Sequence, residues 1–155
     1  MQHFKGCKLV VHCNEQIITY KRDNISSISY PNCWDLPGGG REGNETPEDC
    51  ALRELKEEFG IELCPSRIHY KQKVESHTGF GCAYFLAVTI TESELREIQF
   101  GDEGQYWRLM DIETYLALPD AVPSNQQRIR SYLNLRVRIA NKAFKTDSQR
   151  LAISV

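Results

Sequence analysis

Three glutamates, Glu54, Glu57 and Glu58, follow one another at the spacing a helix places on one side. At roughly 100° per residue they fall within about a third of the circumference, and Ala51, Leu52, Leu55 and Phe59 take the adjoining third. Such a helix packs an apolar stripe inward and carries an acidic edge beside it. Like charges at i, i+3 and i+4 repel, so something cationic should offset them, and Arg53 and Lys56 flank the acids. Hard oxygen donors at this density suit Mg²⁺ or Mn²⁺, which leave coordination positions for waters and phosphate oxygens. For the glutamates alone a solvated acidic face is the simpler reading. The preceding Pro37-Gly38-Gly39-Gly40 turns the balance: it permits close backbone approach, so a main-chain carbonyl can join the carboxylates while neighbouring N–H groups face an anion. The pattern is that of a divalent-metal platform.

The elements that must position this platform can be traced along the chain. Lys8 to Cys13 and Gln16 to Lys21 are β-rich runs separated by Asn14-Glu15, a hairpin pattern. Asn24 to Asn32 is an irregular surface segment, and Trp34-Asp35-Leu36 leads into the glycine turn. Thr46-Pro47-Glu48-Asp49 starts a helix, with Thr46 at the cap and Pro47 in the first turn; Gly60 ends it after Phe59. Ile68 to Glu75 and Phe80 to Ile90 are two strands joined by a turn at Ser76 to Gly79, the second apolar enough to be central. Thr91 to Ile98 has a weak helical pattern compatible with a solvated turn. Gln105 to Met110 is a short strand, Asp111 caps a helix through Leu118, and a last helix begins near Ser124, where Ser124-Asn125-Gln126-Gln127 has the form of a capping box. Strands interleaved with an early and a late helix predict an α/β or α+β layered domain with a mixed sheet.

The run from Gly39 to Ile61 resembles the signature of the Nudix hydrolase family, G-x5-E-x7-R-E-U-x-E-E-x-G-U with U a bulky aliphatic residue. Gly39, Glu45, Arg53, Glu54, Leu55, Glu57, Glu58, Gly60 and Ile61 match every defined position. The resemblance implies the Nudix fold, an α/β/α sandwich around a mixed β-sheet. It implies Glu54, Glu57 and Glu58 as metal-binding carboxylates, the Gly38 carbonyl as an extra ligand, Arg53 as an orienting arginine and Glu45 as a supporting acid. An ion pair of Arg53 with Glu57 at i, i+4 fits the same orienting role. The implied reaction is hydrolysis of a nucleoside diphosphate linked to another group, with Glu57, Glu58 or a loop acid as the base.

Beyond the signature the resemblance is to the MutT-like branch. There an acid before a Trp-containing strand also contacts the metal, and Glu103 stands at that place with Asp102 as its competitor. Asn125, after Pro123, resembles an asparagine that reads a purine edge, an amide offering both donor and acceptor; helix-start chemistry explains it equally. Arg22 corresponds in order to a nucleotide-contacting arginine, or is an exposed strand-end cation. The Pro of ADP-ribose hydrolases and the Tyr of dinucleoside-polyphosphate hydrolases are not matched at Glu75, Ser76, His77 and Thr78. His77 either lines the pocket or is solvated.

The 155 residues carry a net charge of −2, which disfavours a mainly electrostatic nucleic-acid binder, and their length suits one domain. Six cysteines without a C-x-x-C pair signal neither a zinc knuckle nor a redox site. Cys7, His12 and Cys13 have no second ligand pair and read as core residues. No apolar run approaches a membrane span, so no membrane partner and a cytoplasmic location are expected. From Ser124 onward seven bases and one acid give +6 against −8 for the remainder. A domain over 1–135 with a basic extension over 136–155 is expected. The extension is by default a fraying tail, with shielding of the acidic body, helix extension, a homodimer contact or a polyanion contact as the other roles.

The expected function is Mg²⁺- or Mn²⁺-dependent hydrolysis of a small-molecule nucleotide, a (deoxy)nucleoside triphosphate or an oxidised form, to monophosphate and pyrophosphate. A nucleoside-diphosphate-sugar hydrolase with a pocket built by the Asn24 to Asn32 loop is the alternative enzyme. A nucleotide-sensing module without turnover is the alternative from a different class.

Overall fold

A computed structural model describes residues 3–153; the outermost ends of the two expected domain spans, residues 1–2 and 154–155, lie outside it. Strand β1 (Cys7–Cys13) and strand β2 (Gln16–Lys21) form the expected hairpin. β3 (Trp34–Asp35) is short, β4 covers Ile68–Glu75, β5 covers Cys82–Thr89 and β6 covers Tyr106–Asp111. The sheet order is β3-β2-β1-β5-β4, with β6 also paired to β2. β1 and β5 run parallel while the other neighbours are antiparallel, so the sheet is mixed. β5 is central, as its apolar run predicts; it starts at Cys82 because Phe80 sits in the preceding turn, 78% exposed.

The layers follow from the two-residue period of the strands. Leu9 and Val11 of β1, with Leu86 and Val88 of β5, face helix α1 (Pro47–Phe59) and meet its Leu52, Leu55 and Phe59. Val10, Phe85 and Ala87 point the other way, onto Tyr115 of helix α3 (Ile112–Ala117) and Ile129 and Tyr132 of helix α4 (Pro123–Ile153). Helices on both faces of a mixed sheet make the expected α/β/α sandwich.

Helix α1 has the expected ends: the Thr46 hydroxyl accepts from the Asp49 N–H, and Gly60 adopts φ 70°, closing the helix with its N–H on the Lys56 carbonyl. Thr91 to Ile98 is more ordered than a solvated turn, since helix α2 (Glu92–Arg96) carries a complete capping box between Thr91 and Glu94. Asp111 takes the cap position of α3 without making the cap hydrogen bond. The capping box proposed at Ser124 is corrected: α4 begins at Pro123, so Ser124 lies inside the first turn. Pro at the helix start removes only an N–H that has no helical partner. Nor does a fraying tail follow, because α4 continues without a break through Ile153 although its described side chains from Asn134 to Arg150 are exposed.

Candidate active site

The glycine turn and the start of β1 lie edge to edge: the N–H groups of Leu9 and Cys7 donate to the carbonyls of Pro37 and Gly39. Helix α1 packs beneath them. A Cβ added at Gly39 would stand 2.4 Å from Glu54 Oε1, so glycine is required there for the carboxylate to lie against the backbone. The Gly38 N–H donates to Glu58 Oε1 at 2.8 Å. The Gly38 carbonyl faces Lys8, whose Nζ lies 3.4 Å away.

Glu54, Glu57, Glu58, Gly38, Glu103, Arg22 and Asn125 all line one cleft of about 690 Å³, together with Asp102 and His77. Arg53 and Glu45 stand behind it. The Arg53 guanidinium donates through Nε and Nη2 to the two Glu45 oxygens, through Nη1 to Glu54 and Glu57 at 3.0 and 3.1 Å, and through Nη2 to the Gly40 carbonyl. One planar cation thus ties the acidic edge to the glycine turn, and the hydrogen bond from Arg53 holds the Glu45 carboxyl below its ordinary range. Glu103 is carried by the loop before β6, which rests on the end of α1 through the Gly101 N–H and the Glu58 carbonyl at 2.8 Å.

Burial pushes the Glu58 carboxyl up to about 8, and it raises the Glu54 carboxyl as well. These two desolvated carboxylates and the exposed Glu57, with the main-chain oxygens of the turn, form an all-oxygen donor set that fits a hard divalent cation. Among the described residues, no three His, Cys, Asp or Glu side chains are already gathered at metal-holding separations. Glu57 is turned to Arg53 and Glu58 to the Gly38 N–H, so the set fits a cation by chemistry and position rather than as a closed cage.

The same cleft has a wall built on Asp35 that sequence reasoning missed. Asp35 is 1% exposed and accepts from Lys8 and Arg22 at 2.8 Å each, from the Tyr20 hydroxyl, from the Leu36 N–H and from Asn125 Nδ2 at 2.7 Å. Burial alone would raise the Asp35 carboxyl, but Lys8, Arg22 and the Leu36 N–H together hold it below its usual value. This net holds two of the expected residues. Asn125 is buried and gives its amide donor to Asp35 while lining the cleft, and Arg22 is anchored by Asp35 and, through Nε, by the Ser29 carbonyl. The available signal was an acid between Trp34 and Leu36 in an otherwise apolar strand. Arg128 completes this wall: it reaches the Glu75 carbonyl at 2.7 Å and lines the cleft. His77 sits at the mouth, its ring 6.4 Å from that of Tyr30. The dismissed Cys7, His12 and Cys13 group lies in the core, where Cys7 meets Cys50 and His12 meets the Tyr132 hydroxyl.

Comparison with known proteins agrees with this geometry. The NUDIX domain model matches residues 9–132. An 8-oxo-dGTP diphosphatase of Proteus vulgaris is 39% identical over 62 residues, covering 36% of this chain and 55% of that protein. Diphosphoinositol polyphosphate phosphohydrolase 2 of Homo sapiens is 31% identical over 90 residues, covering 56% of this chain and 49% of its own length. The chain therefore spans about half the length of these curated relatives. The MutT protein of Methanosarcina mazei shares the fold with a TM-score of 0.67 at 16% identity, over 87% of this chain and 96% of that one.

Proposed function

The chain belongs to the Nudix family, and from that premise we propose that it is a divalent-metal-dependent hydrolase of a nucleoside diphosphate linked to another moiety. The leading substrate class is a (deoxy)nucleoside triphosphate or an oxidised nucleotide, released as monophosphate and pyrophosphate. One observation carries this reading: the acids Glu54, Glu57 and Glu58 and the bases Lys8, Arg22 and Arg128 line a single cleft. Phosphate oxygens need cationic partners, and a divalent cation needs carboxylates.

In this scheme Glu54, Glu57, Glu58, Glu103 and the Gly38 carbonyl would hold Mg²⁺ or Mn²⁺. A bound ion of this kind neutralises phosphate charge and lowers the pKa of water. Arg53 orients Glu54 and Glu57 without entering the cleft. Lys8 and Arg22, fixed by Asp35, present positive charge to the substrate phosphates at no further ordering cost. Glu57, Glu58 and Glu103 are the three candidates for the carboxylate that takes the proton from the attacking water. Asn125 braces Asp35 through its amide N–H and lines the cleft, where it would meet the base.

A second enzyme reading has its own observation. Ser29 and Tyr30 of the segment between β2 and β3 line the cleft, which gives a nucleoside diphosphate sugar a surface to lie on. A panel assay in Mg²⁺ with deoxynucleoside triphosphates, oxidised dGTP, ADP-ribose and sugar nucleotides separates the two. Turnover of a sugar nucleotide with triphosphates untouched would end the first reading. Glu57→Gln tests catalysis itself: kcat should drop by about 10²-fold or more, as for loss of a metal-holding or proton-accepting carboxylate. A nucleotide sensor without turnover would bind nucleotide as before and show no activity to lose.

A further inference from the structure

The bases of the cleft are not equally neutralised. Lys8 and Arg22 both lie 2.8 Å from the Asp35 carboxylate. Arg128, half-buried, has no such partner. Among the described residues its guanidinium makes one hydrogen bond, through Nη2 to the Glu75 carbonyl at 2.7 Å, and no ion pair, and its remaining N–H donors have no partner. Burial acts to lower the pKa of both arginines. Direct bonding to Asp35 leaves Arg22 above its ordinary value, whereas Arg128, which Asp35 reaches only through space, stays below. A cation desolvated in this way costs free energy until an anion completes it.

Position narrows what that anion is. The carboxylates of the metal platform come from α1, which covers one face of the sheet, and Arg128 comes from α4, which covers the other. Lys8 reaches to within 3.4 Å of the Gly38 carbonyl, so a cation already stands at the platform for the bridging phosphates. Arg128 instead marks a junction. It lines the cleft and also a second cavity of about 670 Å³, and Ser76, His77 and Ser124 are the other residues common to both. Neither the glycine turn nor Glu54, Glu57 or Glu58 lines this second cavity. Its apolar lining, Tyr70, Val74 and Phe85, belongs to the core packed under α4. Lys73 and Glu75 contribute one charge of each sign, so Arg128 sets the balance there.

On α4, Asn125 and Arg128 are three residues apart and so are neighbours on one face of the helix. A nucleoside whose base meets Asn125 brings its ribose to the level of Arg128, about one helical turn away. We propose that Arg128, at the junction of the two cavities, recognises a phosphate monoester on the ribose of the substrate, outside the phosphate bridge that is hydrolysed. The planar guanidinium fork suits the paired oxygens of such a group, and the second cavity gives it room. A phosphate at the 2′ or the 3′ position shares this chemistry. The proposal rests on reading the cleft as a nucleotide site, but not on turnover.

Titration calorimetry on the full chain in Mg²⁺ tests it with ligands that differ by one group: adenosine 5′-monophosphate, adenosine 2′,5′-bisphosphate and adenosine 3′,5′-bisphosphate. At least one bisphosphate is expected to bind about tenfold more tightly than the monophosphate, as one charge-assisted pair provides. The better of the two fixes the position. Arg128→Gln should erase that preference, and Arg128→Lys should keep part of it through charge alone. Thermal melts of both variants check that the body remains folded. Equal affinity for all the ligands overturns the proposal. So does a preference that survives Arg128→Gln, or an equal loss for monophosphate and bisphosphates, which would make Arg128 a contact for the shared 5′-phosphate or a brace for Glu75. A native chain that prefers a bisphosphate yet hydrolyses no nucleotide would end the hydrolase reading and leave this subsite standing.

Discussion

Glu58 holds its carboxylate where burial resists ionisation. A carboxyl raised to about 8 in the folded chain, against an ordinary value near 4.3, binds its proton more tightly folded than unfolded. Its contribution is therefore fully favourable below about pH 4 and is lost as pH rises towards 8. Glu58→Gln, which keeps an acceptor for the Gly38 N–H, should raise the stability of the metal-free chain at pH 8 by about 2 kcal/mol. The same variant should abolish the gain in thermal stability on adding Mg²⁺. Calorimetric melts with and without Mg²⁺ measure both, and a variant that still gains stability from the ion would remove Glu58 from the ligand set. Asp35 behaves oppositely, because its charge is compensated: Asp35→Ala leaves Lys8 and Arg22 without their shared partner at side-chain exposures of only 20% and 22%. A loss of about 3 kcal/mol in urea unfolding is expected.

At the scale of elements, the glycine turn and the start of α1 act as one piece. Gly39→Ala places a methyl group on the flexible end of Glu54 and not on backbone. The fold should accommodate it at a cost of less than about 1 kcal/mol, whereas Mg²⁺ affinity by titration calorimetry should fall about tenfold. Comparable loss in both would mean that the turn itself is displaced. Loop, helix and acidic edge were legible in the sequence because each is decided locally: Thr46 caps three residues ahead, Gly60 stops one residue on, and the glutamates share a face through helical period alone. The Asp35 net was not legible, because it joins residues 8, 20, 22, 35 and 125, which come together only when three strands and α4 are assembled. The start of α4 was misplaced by one residue for a related reason. Ser124 has the chemistry of a cap, but Pro123 already adopts helical geometry.

Across the molecule, the face of the sheet turned to α4 carries a buried histidine that couples packing to acidity. His12 is 6% exposed and bonded to the Tyr132 hydroxyl at 2.9 Å. Burial first, then Arg136 and His69, lower its pKa to about 4. The unfolded chain binds that proton near pH 6.5, so the neutral form stabilises the fold fully above about 6.5, and the contribution disappears as pH falls towards 4. A loss of about 2 kcal/mol across that window is expected, and His12→Gln should flatten it; an unchanged slope in urea titrations at pH 7 and 4.5 would place the acid sensitivity elsewhere.

The bond from Asn125 to Asp35 sets an order of events in time. Asp35 receives Lys8 and Arg22 from segments made early in synthesis, but its last partner arrives only when residue 125 has been added and the far helical layer docks. Until then one wall of the cleft lacks its final brace, however well the acidic helix has formed. A growing chain thus completes its cleft only once both layers have closed on the sheet.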